Sequence, residues 1–402
     1  MATEVVEVEG HIIDSLILAK VLDTIVDAGA EYRIVDVDIG RASTDTSRAR
    51  IEIQADDEDV LTTLVTELQL HGANRVEDND AVLDACDRNG VLPEGFYSTT
   101  NLKTQVRLGG HWTDVDNPEM DCAIVVRDSG HVTTAPMHRV RVGDQVVVGL
   151  DGVRVQPLER PRGANPFEFM ASEVSSEKPK ELLVAEVADR IKARRADGGK
   201  ILAVCGPAVI HTGSARYLSR LIELGYVQVL FAGNALATHD VEAALLGTSL
   251  GVNLESGLPI ESGHEHHMRA INRVRAAGSI KALVDSGEIK TGVMKSCLDH
   301  GVEVVLAGSV RDDGPLPEVI TDMIQAQDAM RERIPGVRMC LMLSTMLHSI
   351  ATGNMLPAAV RTVCVDMNPA VVTKLADRGS WQSIGLVTDV ESFLRELVLD
   401  LE

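Results

Sequence analysis

A chain of 402 residues, 45% hydrophobic and with a formal net charge of −22, is long enough for two or three domains and too acidic to favour a phosphate backbone or an anionic lipid surface. No apolar stretch reaches the ~18–20 uncharged residues of a membrane span, and the start, MATEVVEVEG, lacks the basic head and apolar middle of a signal peptide, so a cytoplasmic protein with no membrane and no nucleic-acid partner is expected. Six cysteines without C-x-x-C spacing or nearby histidine pairs argue against disulfides and zinc and for buried thiols, with Cys297, on a more polar stretch, as a candidate reactive thiol.

Residues 5–8 alternate valine and glutamate like a half-exposed strand. Residues 14–28 repeat apolar pairs at helical spacing, with Asp14 as the cap and Gly29 as the stop. Strands over 32–39 and 48–54 flank the polar turn GRASTDTS, and a second helix over 58–71 ends before Gly72 and a short strand near 73–76. This βαββαβ order predicts a ferredoxin-like α+β module over residues 1–90. Residues 91–165 are short alternating runs broken by Gly-Gly, Val-Gly-Asp and Asp-Gly turns, which predicts a β-rich segment, a small sheet or barrel. The proline- and serine-bearing stretch 160–182 reads as the crossing between domains.

Residues 166–402 predict a Rossmann-like α/β domain with a parallel sheet. A helix over 182–195 leads into a βαβ unit: an apolar run at 201–205, a turn at Gly206-Pro207, a helix stopped by Gly225, and a second apolar run at 227–231. The order strand, glycine turn, helix presents backbone N–H groups where a phosphate can sit, but the turn reads GPAVIHTG and the second strand ends in AGNA, so the G-x-G-x-x-G fingerprint is absent. Three further strands, 302–306, 337–343 and 362–366, each open into a polar loop bearing glycine or asparagine. In a parallel sheet such loops converge at the carboxyl edge, where ligands bind.

The segments EGHIIDSLILAKVLD, GFYSTTN, NPEMDCAIVV, FEFMASEVSSE, GPAVIHTG, AGNALATHDVEAALLGTSLG, AGSVRDDGPLPEVITD, MLSTMLHSIATGNMLP and VDMNPAVVTKLADRGS together resemble the LOR/SDH-region family, named for lysine-oxoglutarate reductase and saccharopine dehydrogenase, over essentially the whole chain. Its members include the archaeal-type alternative ornithine cyclodeaminases, and the chain is also similar to the C-terminal part of cyanobacterial bifunctional arginine dihydrolase/ornithine cyclodeaminases. The resemblance implies an NAD-dependent conversion of L-ornithine to L-proline and ammonia, on a nucleotide-binding fold related to deoxyhypusine synthase, in a homo-oligomer. The chain begins at the LOR/SDH module, so arginine dihydrolase activity is not expected.

Under that resemblance the cofactor-binding candidates are Asn234, Ala235, Asp312, Thr345, Met346, Leu347, His348, Asp366 and Asn368, with His211, Thr212 and Gly213 balanced between phosphate contact and an ordinary turn. Asn234 and Asn368 also read as plain helix caps. Asn117, Glu119 and Asp121 can meet the two ammonium groups of ornithine, and Arg107 or Arg311 can pair its α-carboxylate bidentately; Glu119 reads equally well as a solvated acidic turn. Lys374 is a catalytic candidate by analogy with an imine-forming lysine, against a helix-face lysine. His264, His266 and His267 in GHEHH have adjacent spacing and no cysteine partner, which favours a polar loop or substrate lid over a metal site. Two other readings of the chain stay open: another NAD-linked amino-acid or opine oxidoreductase or a deoxyhypusine-synthase-like transferase, and a non-catalytic regulator sensing an amino acid.

Overall fold

The computed structural model describes residues 2–13, 16–41, 45–69, 71–76, 79–127, 130–156, 180–254, 258, 263–312, 314–377 and 383–402. Two compact units are present: residues 1–169 with 354–359, and residues 170–353 with 360–402. Among the described residues no helix is long and apolar enough to cross a membrane.

The first unit opens with β1 (Ala2–Gly10), α1 (Ile17–Asp27), β2 (Glu31–Asp38), β3 (Ser47–Ala55), α2 (Glu58–Gln69) and β4 (Asn74–Arg75), in a sheet of order β2-β3-β1-β4. Every pairing in it is antiparallel, the split βαβ arrangement that the sequence predicts. Strict alternation in β3 puts Ala49, Ile51 and Ile53 on a core face with Val6 and Val8, and Val21, Ile25, Leu64 and Leu68 of the helices cover it. Asp14 lies outside the described residues. The helix starts at Ile17, and its N-cap Leu16 has no capping side chain. At the other end Gly29, at φ +73, and Ala30 donate back to Val26 and Ile25, closing the helix with paired terminal bonds.

The rest of this unit is β-rich. β5 (Val82–Ala85), β6 (Lys103–Leu108), β7 (His111–Asp114), β8 (Ala123–Val126), β9 (Val132–Ala135), β10 (Gln145–Val148) and β11 (Val153–Gln156) form two antiparallel sheets, β5-β10-β8-β9 and β11-β6-β7, over a core that includes Val106, Ile124, Val132 and Val147. The segment 354–359 belongs here by contact: the Met120 N–H donates to the Asn354 carbonyl at 2.9 Å, the Ala358 N–H donates to Asn101, and Ala358 packs with Leu102 and Val155.

The second unit runs α3 (Lys180–Ala196), β12 (Lys200–Cys205), α4 (Ala208–His211), α5 (Ala215–Glu223), β13 (Val229–Gly233), α6 (Asn234–Leu246), the hairpin β14 (Thr248–Ser249) and β15 (Val252–Asn253), α7 (His266–Ala277), α8 (Ile280–Asp285), α9 (Val293–His300), β16 (Glu303–Ala307), α10 (Met323–Arg331), β17 (Val337–Leu343), α11 (Leu347–Met355), β18 (Arg361–Asp366), α12 (Pro369–Asp377), β19 (Ser383–Val387) and α13 (Val390–Leu401). Its six-stranded sheet has the order β16-β13-β12-β17-β18-β19, parallel throughout. Counted from β12, that is the 3-2-1-4-5-6 order of a doubly wound nucleotide-binding sheet, and the order reverses between β12 and β17. Helices cover both faces, which is why β12 is an unbroken apolar run, fully buried from Ile201 to Cys205. The glycine turn expected after β12 holds a short helix, α4, instead of an open loop. The expected domain crossing at 160–182 falls almost wholly outside the described residues.

Candidate functional site

The order reversal in the parallel sheet is a backbone contact. The Gly206 N–H, just after β12, donates to the Leu343 carbonyl at 2.9 Å, and a Cβ on Gly206 would lie 2.1 Å from the Ser344 carbonyl oxygen. Ser344 itself takes the left-handed conformation at φ +50, while its N–H bonds to Val365. A non-glycine residue held there stores strain, and such residues collect at functional sites. Because its amide is spent on Leu343, Gly206 offers no donor to a phosphate. Directly after Ser344 the start of α11 brings helix-terminal amides to this edge, where they and the dipole favour an anion.

Thr345, Met346, Leu347 and His348 occupy that helix start. Burial holds the His348 imidazole below its ordinary pKa, hence neutral near pH 7, and its Cε1 lies 3.4 Å from where a Gly233 Cβ would be. Further along α11, the Ser349 and Thr352 hydroxyls are buried with no hydrogen-bond partner among the described residues. Asn234 and Ala235 begin α6 after β13; Asn234 is only 4% exposed, and its Oδ1 accepts from the Leu316 N–H at 3.0 Å, so its side chain does not cap its own helix. Asp312 follows β16 and accepts from the Ser309 N–H at 2.8 Å. Asp366 ends β18 and accepts from the Asn368 N–H at 2.8 Å, and Asn368 accepts from the Ala370 N–H at 3.0 Å at the start of α12. All nine of these residues thus lie at or just after the carboxyl ends of β13, β16, β17 and β18, along one edge of the sheet.

His211, Thr212 and Gly213 lie at the end of α4. The Thr212 hydroxyl bonds to the Ala208 carbonyl and to Ser214, and Thr212 and Gly213 line a cleft of about 690 Å³ beside α5, α6 and α9, with Arg216 and Lys290 on its wall. His211 turns elsewhere, toward Ser249 and His239. Arg311 is exposed after β16 and has no carboxylate partner among the described residues; Lys374 is exposed on α12.

In the first unit, the loop carrying Asn117, Glu119 and Asp121 is itself strained. Asn117 and Asp121 sit at φ +52 and +61, with Glu119 between them only 8% exposed. The loop is pinned by its backbone: the Thr99 hydroxyl donates to the Glu119 carbonyl at 2.6 Å, the Cys122 N–H donates to the Thr99 hydroxyl, and the Asp121 N–H donates to the Thr99 carbonyl. Arg107, by contrast, is engaged by Asp80 at 3.3 Å.

A polar network absent from the sequence reading is buried beside α6. Glu242, with no exposed surface, accepts from His239 Nδ1 (2.8 Å), the Thr248 hydroxyl (2.9 Å), the Leu250 N–H (3.3 Å) and the Gly251 N–H (3.2 Å). Burial raises its pKa, but the bonds from His239, Thr248 and Gly251 outweigh that and hold it below the usual carboxylate range. His266 Nδ1 joins through Thr248 at 2.8 Å, and His211 stacks edge-on against His239 with centroids 4.6 Å apart. Burial, then His239, lowers the His211 pKa to about 4. The i, i+3 spacing of His239 and Glu242 in ATHDVEAALL was the available signal. The side chain of His264 lies outside the described residues, and among the described residues no group of three or more His, Cys, Asp or Glu is arranged to hold a metal. Cys297 is not a reactive thiol: it is 1% exposed on the inner face of α9, and burial pushes its pKa far up.

Comparison with known proteins matches this chain end to end. Residues 3–102 match the LOR/SDH bifunctional enzyme conserved region, 103–184 the first C-terminal region of ArgZ-like arginine dihydrolases, and 185–397 their C-terminal Rossmann fold. The ornithine cyclodeaminase of Methanocaldococcus jannaschii is 53% identical over 99% of this chain and 96% of its own length. The crystal structure of a putative LOR/SDH protein from Methanococcus maripaludis is 49% identical with a TM-score of 0.76, covering 80% of this chain and 98% of that one. The ternary complex of AgrE with ornithine and NAD⁺ is 41% identical with a TM-score of 0.55, covering 100% of this chain and 57% of that one. This chain belongs to the LOR/SDH-region family, which joins the archaeal ornithine cyclodeaminases to the C-terminal regions of the ArgZ-like enzymes.

Proposed function

We propose that this protein is an NAD-dependent ornithine cyclodeaminase, converting L-ornithine to L-proline and ammonia. The observation that carries the reading is the correspondence with ornithine cyclodeaminases at about half identity, over 99% of this chain and 96% of the Methanocaldococcus jannaschii protein. The fit of NAD is supported by this chain's own edge: a glycine, Gly233, beside the His348 ring, a helix start after the Gly206–Ser344 contact, carboxylates Asp366 and Asp312 at strand ends, and the Ser349 hydroxyl on α11, which has no partner among the described residues.

In this reading the amides of Thr345 to His348 hold the pyrophosphate, Asp366 and Asp312 accept from ribose hydroxyls, and Asn234 and Ala235 contact the cofactor at the start of α6. When bound, NAD⁺ supplies the hydride acceptor and donor at the substrate α-carbon, without net consumption. Glu119 and Asp121, with Asn117 beside them, are the candidates for the ammonium groups, and Arg311, which has no carboxylate partner among the described residues, is the candidate for the α-carboxylate over Arg107, which Asp80 engages. Lys374, on an exposed helix face, has no part in the proposal. Proton transfers by positioned side chains contribute ~10²–10⁴-fold to such a reaction. We extend the reading to a cytoplasmic homo-oligomer.

The test is to incubate the purified chain with L-ornithine and catalytic NAD⁺. Equal amounts of proline and ammonia with no net NADH are expected. Net NADH would move the protein to the oxidoreductase reading, and ligand-induced thermal shift without turnover to a regulator.

A further inference from the structure

The network around Glu242 does more than fasten a hairpin. Glu242 is ionised, so the proton on the His239–Glu242 bond sits on His239 Nδ1, which leaves the lone pair on Nε2. A buried carboxylate that fixes an imidazole tautomer and then stabilises its cation is the arrangement by which a histidine is made a base. The setting is strained: the β14–β15 turn puts Leu250, a bulky residue, at φ +53, and both turn amides are spent on Glu242. The His239 ring, bonded to Glu242 one turn further along α6, packs edge-on against His211, which ends the short helix α4 that follows the carboxyl end of β12, the edge of the sheet where the candidate cofactor residues lie.

From this geometry, and resting on the cyclodeaminase reading, we propose that His239 is a catalytic residue whose Nε2 takes the proton from the substrate α-ammonium, with Glu242 as its positioning residue. The N–H bond of the ammonium breaks, its electron pair stays on nitrogen, and the proton resides on Nε2 as an imidazolium paired with Glu242. The terminal amine, having released its surplus protons to solvent, bonds to the α-carbon; the same proton then returns to the α-amine, the Cα–N bond breaks with its electron pair leaving on ammonia, and Nε2 regains its lone pair. The groups that bias this exchange are Glu242 on α6, His211 from α4, and His266 and His267 from α7.

The experiment uses the full chain with His239→Gln and Glu242→Gln. In H239Q, kcat for proline formation is expected to fall ~10²–10⁴-fold, with KM for ornithine and the affinity for NAD⁺ within threefold. In E242Q, kcat falls at least tenfold and the acid limb of the pH profile moves, a shift that a hairpin fastener would not cause. Imidazole ¹⁵N NMR of the unaltered protein needs no variant to fold, and must report Nδ1–H, Nε2-lone-pair His239. An H239Q protein with kcat within threefold of the parent, or an Nε2–H tautomer, overturns the proposal. If the parent makes no proline from ornithine, the cyclodeaminase reading fails, an outcome distinct from an active parent with an equally active H239Q.

Discussion

Gly206→Ala perturbs the point where the sheet reverses its order. The added Cβ would stand 2.1 Å from the Ser344 carbonyl oxygen, 3.0 Å from its carbonyl carbon and 3.1 Å from the Thr345 Cβ. The first two are backbone atoms, so no side chain can swing aside. Restoring ordinary contact requires about 1 Å of separation between the ends of β12 and β17, which breaks or stretches the 2.9 Å bonds from Gly206 to Leu343 and from Ser344 to Val365. Overpacking costs ~1–3 kcal/mol and each of the two buried backbone groups left unpaired ~1–3 kcal/mol, so a loss of about 3–9 kcal/mol is expected. That is a large share of the ~5–15 kcal/mol that holds a domain folded. Urea unfolding of the variant measures it. A companion, Ser344→Gly, removes a Cβ from the left-handed conformation and should be neutral or stabilising by up to ~1 kcal/mol. If Gly206→Ala unfolds within ~0.5 kcal/mol of the parent, the close approach is wrong and with it the account of the edge.

Other expectations are independent of that contact. His211 is neutral in the fold because its pKa is lowered to about 4, so stability is complete above pH 6.5 and falls as pH drops from 6.5 toward 4; thermal melts should show that slope, and His211→Asn should flatten it. Asp240→Ala strips the acceptor from the Val293 and Met294 amides that start α9, both at 2.8 Å, and should cost about 2–4 kcal/mol by urea titration. Asp389→Ala removes the α13 cap on the Glu391 and Ser392 amides, for a loss of about 1 kcal/mol. Asp366→Ala should weaken NAD⁺ by ~5–30-fold in calorimetry with thermal stability little changed, as expected for a ribose acceptor.

The fold was legible wherever burial alone sets the pattern. Ile201 to Cys205 is apolar on both sides because helices cover both faces, and Arg48 to Gln54 alternates because only one face of its sheet is covered. Local rules faltered where tertiary approach decides. The turn after β12 holds α4 because Gly206 must meet Ser344, a contact between residues 138 positions apart in the chain. β19, Ser383–Val387, is five residues long with a central glycine and carries too little signal to stand out from its flanks. Nothing local announces that 354–359 keeps company with Asn101 and Met120. At the candidate edge, the strand-end loops were readable because parallel strands must deliver them to one side. His239 and Glu242 were not, because the meaning of their pairing depends on the Leu250–Gly251 turn that closes over it.

The most direct measurement gives the purified chain L-ornithine deuterated at the α-carbon, with NAD⁺ at a small fraction of the substrate concentration. The account predicts proline carrying deuterium at C2, released together with one equivalent of ammonia, and no accumulation of NADH. Proline without the label, NADH in proportion to substrate, or no proline at all would contradict it.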